Sequence, residues 1–132
     1  ESDPLRMLEQ HIKTFASANV EQPYFTAIVM RELATGGRTM PEQAKAQMQR
    51  IPALLRKILG AGIEQNKFKS ADPLILHFMI VGAINLFVAS IPLRDSLAAS
   101  NSTQSMRGSN IDAAAEQVYQ TIIASVLIEP NR

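Results

Sequence analysis

The chain has 132 residues, and its 13 basic and 12 acidic residues give a formal net charge of +1. That length suits a single domain over residues 1–132, able to bury about two-thirds of its unfolded surface. The balanced charge offers no basic field for nucleic acid or anionic membrane, and the absence of cysteine excludes disulfides and thiolate metal sites. We expect a cytoplasmic protein, since the opening Glu1-Ser2-Asp3-Pro4 lacks the apolar stretch of a signal peptide.

Proline marks the start of each of the first two predicted helices. Asp3-Pro4 combines an N-cap residue with proline at the first helical position, and Pro23 opens the second helix. The apolar residues of the first helix recur at helical spacing: Leu5, Leu8, Ile12, Phe15 and Ala16. The second helix is predicted to bury Phe25, Ile28, Val29 and Leu33. Gly36-Gly37 is its predicted C-terminal stop.

A third, longer helix follows. Thr39 and Glu42 have the spacing of a capping box at its start. Its predicted inward stripe is Ala44, Met48, Ile51, Leu55, Ile58 and Gly62. Pro52 lies inside this helix, where it removes one backbone hydrogen bond and is expected to bend the axis.

The stretch between Asp72 and Arg94 contains no charged residue and opens with Asp72-Pro73, a second N-cap and proline pair. One face of the helix that it predicts carries Ile75, Phe78, Met79, Gly82, Leu86 and Ala89. The opposite face carries Leu76, Ile80, Ile84, Phe87 and Ile91. A helix that is apolar on both faces needs a covering on both, in lipid or in protein.

Lipid is the alternative covering, because the uncharged stretch reaches the roughly 18 residues of a membrane span. Against a span, His77, Asn85 and Ser90 would be costly in lipid, and Pro92 ends the helix early. The flanks also lack an aromatic belt. We therefore expect a core or interface helix, with a membrane-associated protein using the 73–93 helix as the alternative.

The remaining sequence predicts one loop and one helix. Ser96–Asn110 is small and polar, which predicts either a loop or a short helical turn near Leu97. The last helix is predicted from about Ile111 to Ile128, with Ala115, Val118, Tyr119, Ile122 and Val126 in one stripe. No segment alternates like a β-strand, so the fold class predicted is all-α with about five helices.

Three segments, in this order, resemble the C-terminal domain of tetracycline-repressor (TetR) family regulators: PYFTAIVMRELATGG, GAGIEQNKFK and ADPLILHFMIVGAINLF. The resemblance extends over approximately Leu5 to Ile128. It implies a helical domain that binds a small effector and forms a homodimer through its last two helices. It also implies that DNA is bound only through an N-terminal helix-turn-helix domain, which residues 1–132 do not contain.

The resemblance supplies the second covering of the uncharged helix: the same helix and the last helix of another subunit, packed as a four-helix bundle. On the uncharged helix the implied dimer interface is Ile75, Met79, Gly82, Asn85, Leu86 and Ala89. On the last helix it is Ala114, Thr121 and Ala124.

Catalytic and metal-binding patterns are missing from the sequence. His11 and His77 lie on different predicted helices, and neither has a carboxylate or a second histidine at ligand spacing. We therefore predict no enzymatic activity, no cofactor and no metal, an enzyme or haem-type carrier being the least favoured alternative.

An effector cavity would be mostly apolar, which favours a hydrophobic or aromatic small molecule. The candidate ligand-binding residues are Phe15, Phe25, Val29, Glu32, Met48, Leu55, Ile58, His77 and Phe78. Two of them have alternatives. Glu32 either reaches solvent or is a buried acid that orients the effector or pairs with Arg31 or Arg38. His77 is either a buried neutral histidine or a polar contact in the cavity. The predicted function is that of the ligand-sensing domain of a transcriptional repressor.

Overall fold

A computed structural model of the chain describes residues 3–100 and 110–129, without the side chains of residues 98–100. These residues form six α-helices: α1 (Pro4–Glu21), α2 (Pro23–Ala34), α3 (Glu42–Glu64), α4 (Pro73–Ala89), α5 (Ile91–Ser100) and α6 (Ile111–Val126). The all-α prediction is confirmed. The helix beyond the predicted five is α5, whose last turns occupy the start of the segment predicted as a loop or helical turn. The rest of that segment, residues 101–109, lies outside the described residues.

The helix starts follow the predicted proline and N-cap pairs. Asp3 and Asp72 each accept a hydrogen bond from the backbone N–H two residues on, at 3.0 and 2.9 Å. The capping box predicted for α3 is wrong, because α3 begins at Glu42 with Pro41 as its N-cap and has no side-chain cap. Thr39 is engaged elsewhere: its hydroxyl donates a hydrogen bond to the Glu32 carboxylate, which fixes the loop against the end of α2.

Left-handed residues end α2 and α3. Gly36 and Gly37 have φ of +79° and +74°, as the predicted stop requires. Asn66 ends α3 with φ of +57°, and the N–H groups of Lys67 and Phe68 then donate to the carbonyl of Gly62 at 2.8 and 3.1 Å. The chain turns back sharply, which places the Phe68 ring directly over Gly62.

A short antiparallel pairing joins the end of α3 to the end of α6. Phe68 faces Leu127 in an isolated β-bridge. The N–H of Lys69 donates to the carbonyl of Val126 at 2.7 Å, and the N–H of Ile128 donates to the carbonyl of Lys67 at 2.8 Å. These bonds satisfy backbone groups that helix ends leave unpaired.

The core is formed by α1, α3, α4 and α6, and α1 packs against the other three. Its buried side chains are Leu8, Ile12, Ala16, Leu55, Ile58, Leu59, Phe68, Leu76, Ile80, Ile84, Ala115, Tyr119, Ile122, Ile123 and Val126. The stripes predicted for the first, third and last helices supply most of them. In α3 the buried positions begin at Leu55, so the N-terminal half of this helix stands away from the core.

The face predicted to be inward on α2 is mostly wrong. Phe25, Ile28 and Leu33 are 41%, 46% and 59% exposed, and Val29 is the member of that stripe that is buried. Thr26 is buried beside it, and its hydroxyl donates to the Asn19 side-chain carbonyl of α1. Because both groups of this pair are buried, the hydrogen bond between them satisfies polar atoms that would otherwise be costly to bury.

The contact between Gly62 and Phe68 predicts that adding a single Cβ atom at position 62 destabilises the fold. A Cβ atom at Gly62 would overlap the Phe68 ring, whereas a Cβ at Gly60, in the same helix, meets nothing within 4 Å. We expect Gly62→Ala to lower the free energy of unfolding by about 1–3 kcal/mol through overpacking. Gly60→Ala, the matched control, should raise it by about 0.5–1 kcal/mol through helix propensity. Urea denaturation measures the free energy of unfolding of both variants. Equal changes in the two variants would contradict the close contact between Gly62 and Phe68.

Candidate functional site

A cavity of about 700 Å³ lies between α1 and the part of α3 that stands away from the core. On α1 it is lined by Met7, Gln10, His11, Thr14, Phe15 and Ala18. On α3 it is lined by Gln47, Arg50, Ile51, Ala53, Leu54, Lys57 and Ile58. Its volume lies within the roughly 300–1,000 Å³ usual for small-molecule sites.

The cavity combines an apolar body with polar groups on both walls. Phe15 faces Ile51 and Ile58 across it. On α1 the polar lining groups are Gln10, His11 and Thr14. On α3 they include two cations, Arg50 and Lys57. Such a lining can bury an apolar molecule and orient it by a few polar contacts.

The structure brings two of the predicted ligand-binding residues to this cavity, Phe15 and Ile58. Leu55 is buried in the core, and Val29 is buried on the inner side of α2. Met48 is half-buried on α3, outside the cavity lining. Phe25 and Phe78 are more than a third exposed and do not line the cavity. The effector-binding role of these residues stays a prediction.

Sequence analysis missed most of the cavity lining. On α3 the positions 47, 50, 51, 54 and 58 form one helical stripe, and on α1 positions 7, 10, 11, 14 and 18 form another. Both stripes mix apolar with polar or charged residues, so a search for continuous apolar faces overlooks them. A search for mixed stripes that border a core stripe would have found them.

Glu32 lies in a second, shallower concavity between the end of α2 and the loop that follows it. One carboxylate oxygen accepts the hydrogen bond from Thr39. The other is buried and has no hydrogen-bond partner among the residues that the structure describes. Arg31 and Arg38 line the same concavity. Glu32 is thus separate from the cavity between α1 and α3.

The two histidines are close enough to influence each other. Burial lowers the pKa of His11 below 6.5, and the nearby charge of His77 lowers it further. Burial also lowers the pKa of His77. Its Nδ1 atom has no hydrogen-bond partner within the described ranges, and its ring lies 5.9 Å from that of Phe78. Both imidazoles are therefore neutral at pH 7.

The outward face of α4 is apolar, and the residues that the structure describes leave it uncovered. Ile75, Phe78, Met79 and Leu86 are exposed, Leu86 to 63%. Gly82 and Ala89 are exposed between them. On α6, Thr121 and Ala124 are exposed and Ala114 is half-buried.

Asn85 departs from the outward face on which it was predicted. It is 5% exposed and lies inside the subunit. At about 100° per residue it stands at the edge between the buried and exposed arcs of α4, and packing of α1, α2, α3 and α6 on the inner arc covers that edge. Its side-chain oxygen has no hydrogen-bond partner among the described residues.

Arg94 fixes the junction of α4 and α5. Its guanidinium donates to the carbonyl of Phe87 at 2.7 Å and to the Ser90 hydroxyl at 3.0 Å, and it lies 4.3 Å from the centre of the Phe87 ring. Over residues 3–100 and 110–129, no single helix is long and apolar enough to cross a membrane; Pro73–Ala89 and Ile91–Leu97 reach that length and composition only together, with a 54° bend between them.

Metal binding has no visible basis in the described part of the chain, where no three His, Cys, Asp or Glu side chains come together around a point. The fold therefore presents a cavity between two helices and an apolar face on a third. These two features, on an all-α scaffold, are what a comparison with known families has to account for.

Comparison with known families identifies the type. The family described as the tetracyclin repressor-like C-terminal domain matches residues 1–88, about two-thirds of the chain. The chain belongs to this family, as its resemblance in sequence implied. No curated protein and no solved structure matches it.

The lowered pKa values of His11 and His77 predict a loss of stability in acid. Each pKa is below its unfolded value of 6.5, so the unfolded chain binds protons at a higher pH than the folded chain. The stabilisation is therefore complete above pH 6.5 and is lost as the pH falls through 6.5 towards the folded values. The urea concentration at the midpoint of unfolding, measured at constant ionic strength, should decrease when the pH is lowered from about 7.5 to about 5.5. A His11→Gln/His77→Gln double variant should show a smaller fall; an unchanged fall would assign the effect to other groups.

Proposed function

We propose that this chain is the ligand-sensing and dimerisation domain of a cytoplasmic transcriptional regulator. Membership of the tetracyclin repressor-like C-terminal family supports a regulatory role rather than a catalytic one. In this proposal a small hydrophobic or aromatic effector occupies the cavity between α1 and α3, and the chain forms a homodimer. DNA binding belongs to a helix-turn-helix outside these 132 residues.

The uncovered face of α4 is the observation that carries the proposal. Leaving Ile75, Met79 and Leu86 in water forgoes about 25 cal/mol for each Å² of apolar area that a partner would bury. The exposed positions of α6, Thr121 and Ala124, are small and allow a second helix pair to approach. A second copy of the chain supplies a surface of the same chemistry, so a symmetric four-helix interface satisfies both subunits.

Contacts between helices offer a route from the cavity to this face. Ile58 lines the cavity and also belongs to the core cluster that includes Leu76 and Ile80 of α4. Both cavity walls, α1 and α3, pack against α4. An effector with different affinity for two arrangements of α1 and α3 would therefore favour one position of α4 and one dimer geometry.

A change in dimer geometry is sufficient to control DNA binding. Half-sites for a dimer lie about 34–36 Å apart along one face of DNA. A small rotation of each subunit changes the separation of two attached DNA-binding domains, and the match is lost. Effector binding and DNA binding are then coupled in both directions.

The dimer is tested by Gly82→Leu. Gly82 is exposed, and a Cβ atom added there meets nothing within 4 Å among the described residues, so we expect the substitution to leave the fold of one subunit undisturbed. It should separate the paired helices and weaken dimerisation by about 1–3 kcal/mol, roughly 5- to 150-fold. Sedimentation of the parent and variant over a range of concentrations in detergent-free buffer measures the change.

Ala46→Leu is the matched control, since it adds a leucine at an exposed position of α3 away from the α4 face. It should sediment like the parent. A monomeric parent with unchanged helicity, or a Gly82→Leu variant that associates as tightly as the parent, would refute the proposed interface. Aggregation of the parent unless detergent is present would instead favour the membrane-associated alternative.

A further inference from the structure

The charge of the cavity lining is one-sided. Among its thirteen lining residues are two cations, Arg50 and Lys57, and no carboxylate. His11 is neutral at pH 7 because burial lowers its pKa. The remaining polar side chains, of which Gln10 and Thr14 are examples, are uncharged and can donate hydrogen bonds. The cavity therefore presents a net positive charge to its occupant.

Among residues 3–100 and 110–129, no acidic side chain forms an ion pair with either cation. Lys13, Lys45 and Lys67 each lie within 4.0 Å of a carboxylate. Arg50 and Lys57 form no such ion pair in the described parts of the chain. Both side chains are also exposed. An anion can therefore bind to either of them without first breaking an ion pair with a carboxylate.

The spacing of the cations matches an elongated apolar ligand with a charged end. Arg50 and Lys57 are seven residues apart on α3, which is two helical turns or about 10.5 Å. Leu54 lies between them on the same stripe, and Ile51 and Ile58 continue the apolar surface. An apolar chain can therefore lie along this surface with its charged group within reach of a cation.

We propose that the cavity binds an organic acid with an extended apolar body, its carboxylate held by Arg50 or Lys57 and its body lying between Phe15 and the apolar stripe of α3. The inference rests on the proposed function, because it names the chemical class of the effector for the same cavity. A carboxylate gains charge-assisted hydrogen bonds from these cations. An alkylamine finds no lining carboxylate and meets two like charges.

Three ligands with the same ten-carbon chain separate charge from hydrophobicity: decanoate, decanol and decylamine. Isothermal titration calorimetry on the full chain near neutral pH measures their affinities. Decanoate should bind roughly 2- to 5-fold more tightly than decanol, since one partly exposed ion pair, with Arg50 or Lys57, is the source of the difference. Decylamine should bind more weakly than decanol. Added salt should reduce the preference for decanoate and leave decanol unaffected.

Variants test whether Arg50 and Lys57 cause the preference for decanoate over decanol. In Arg50→Gln/Lys57→Gln, decanoate should fall to the affinity of decanol, whose own affinity should stay unchanged. Arg56→Gln is the matched control, because Arg56 lies on the same helix, is exposed, and does not line the cavity. It should retain the full preference.

Some results would overturn the inference alone. They are equal affinities for decanoate and decanol, tighter binding of decylamine, or a preference for decanoate that survives in the double variant. In each case a neutral ligand in the cavity still fits the proposed function. If decanoate, decanol and the neutral aromatic probe 1-naphthol all fail to bind, and the parent also sediments as a monomer, the inference and the proposed function fail together.

Discussion

The structure depends on the unequal burial of α4. This helix has no charged residue along its length, yet only the arc carrying Leu76, Ile80 and Ile84 is covered by the subunit. The core could not form without that arc, because α1, α2, α3 and α6 all pack against it. The other arc is equally apolar and is left in water. The described helices therefore fold around one arc of α4 and leave the other exposed, which is the basis for proposing that the subunit associates.

The cavity arises from a similar division along α3. The C-terminal half of this helix is buried through Leu55, Ile58 and Leu59, whereas the N-terminal half contributes half-buried and exposed residues. The cavity lies beside this boundary, since its lining on α3 runs from Gln47 to Ile58 and includes residues on both sides of Pro52. Ile58 lines the cavity and also packs in the core. A displacement of Ile58 on the cavity side would therefore change its contacts with the neighbouring core residues.

Sequence patterns predicted the parts of the fold that depend on one strong local signal. The N-caps Asp3 and Asp72 and the stop at Gly36-Gly37 were found because residue type alone determines their geometry. The orientation of α2 was missed because helical spacing alone does not show that Thr26 would be buried against Asn19 while Phe25, Ile28 and Leu33 stay exposed. Most of the cavity was missed for a related reason, since spaces between helices depend on how far the helices diverge, which periodicity does not encode.

The contact of Phe68 with Gly62 and its backbone pairing with Leu127 anchor the C-terminal end of α3. Its last turn is held against α6 by the Gly62 contact and by the backbone bonds around Leu127, while its first turns have few neighbours. A helix anchored at one end tilts about that end when a force acts across it, and the displacement of a residue increases with its distance from the anchored end. In the proposed complex, a ligand beside Arg50 would press on α3 several helical turns from this anchored end, where a small rotation of the helix gives the larger displacement.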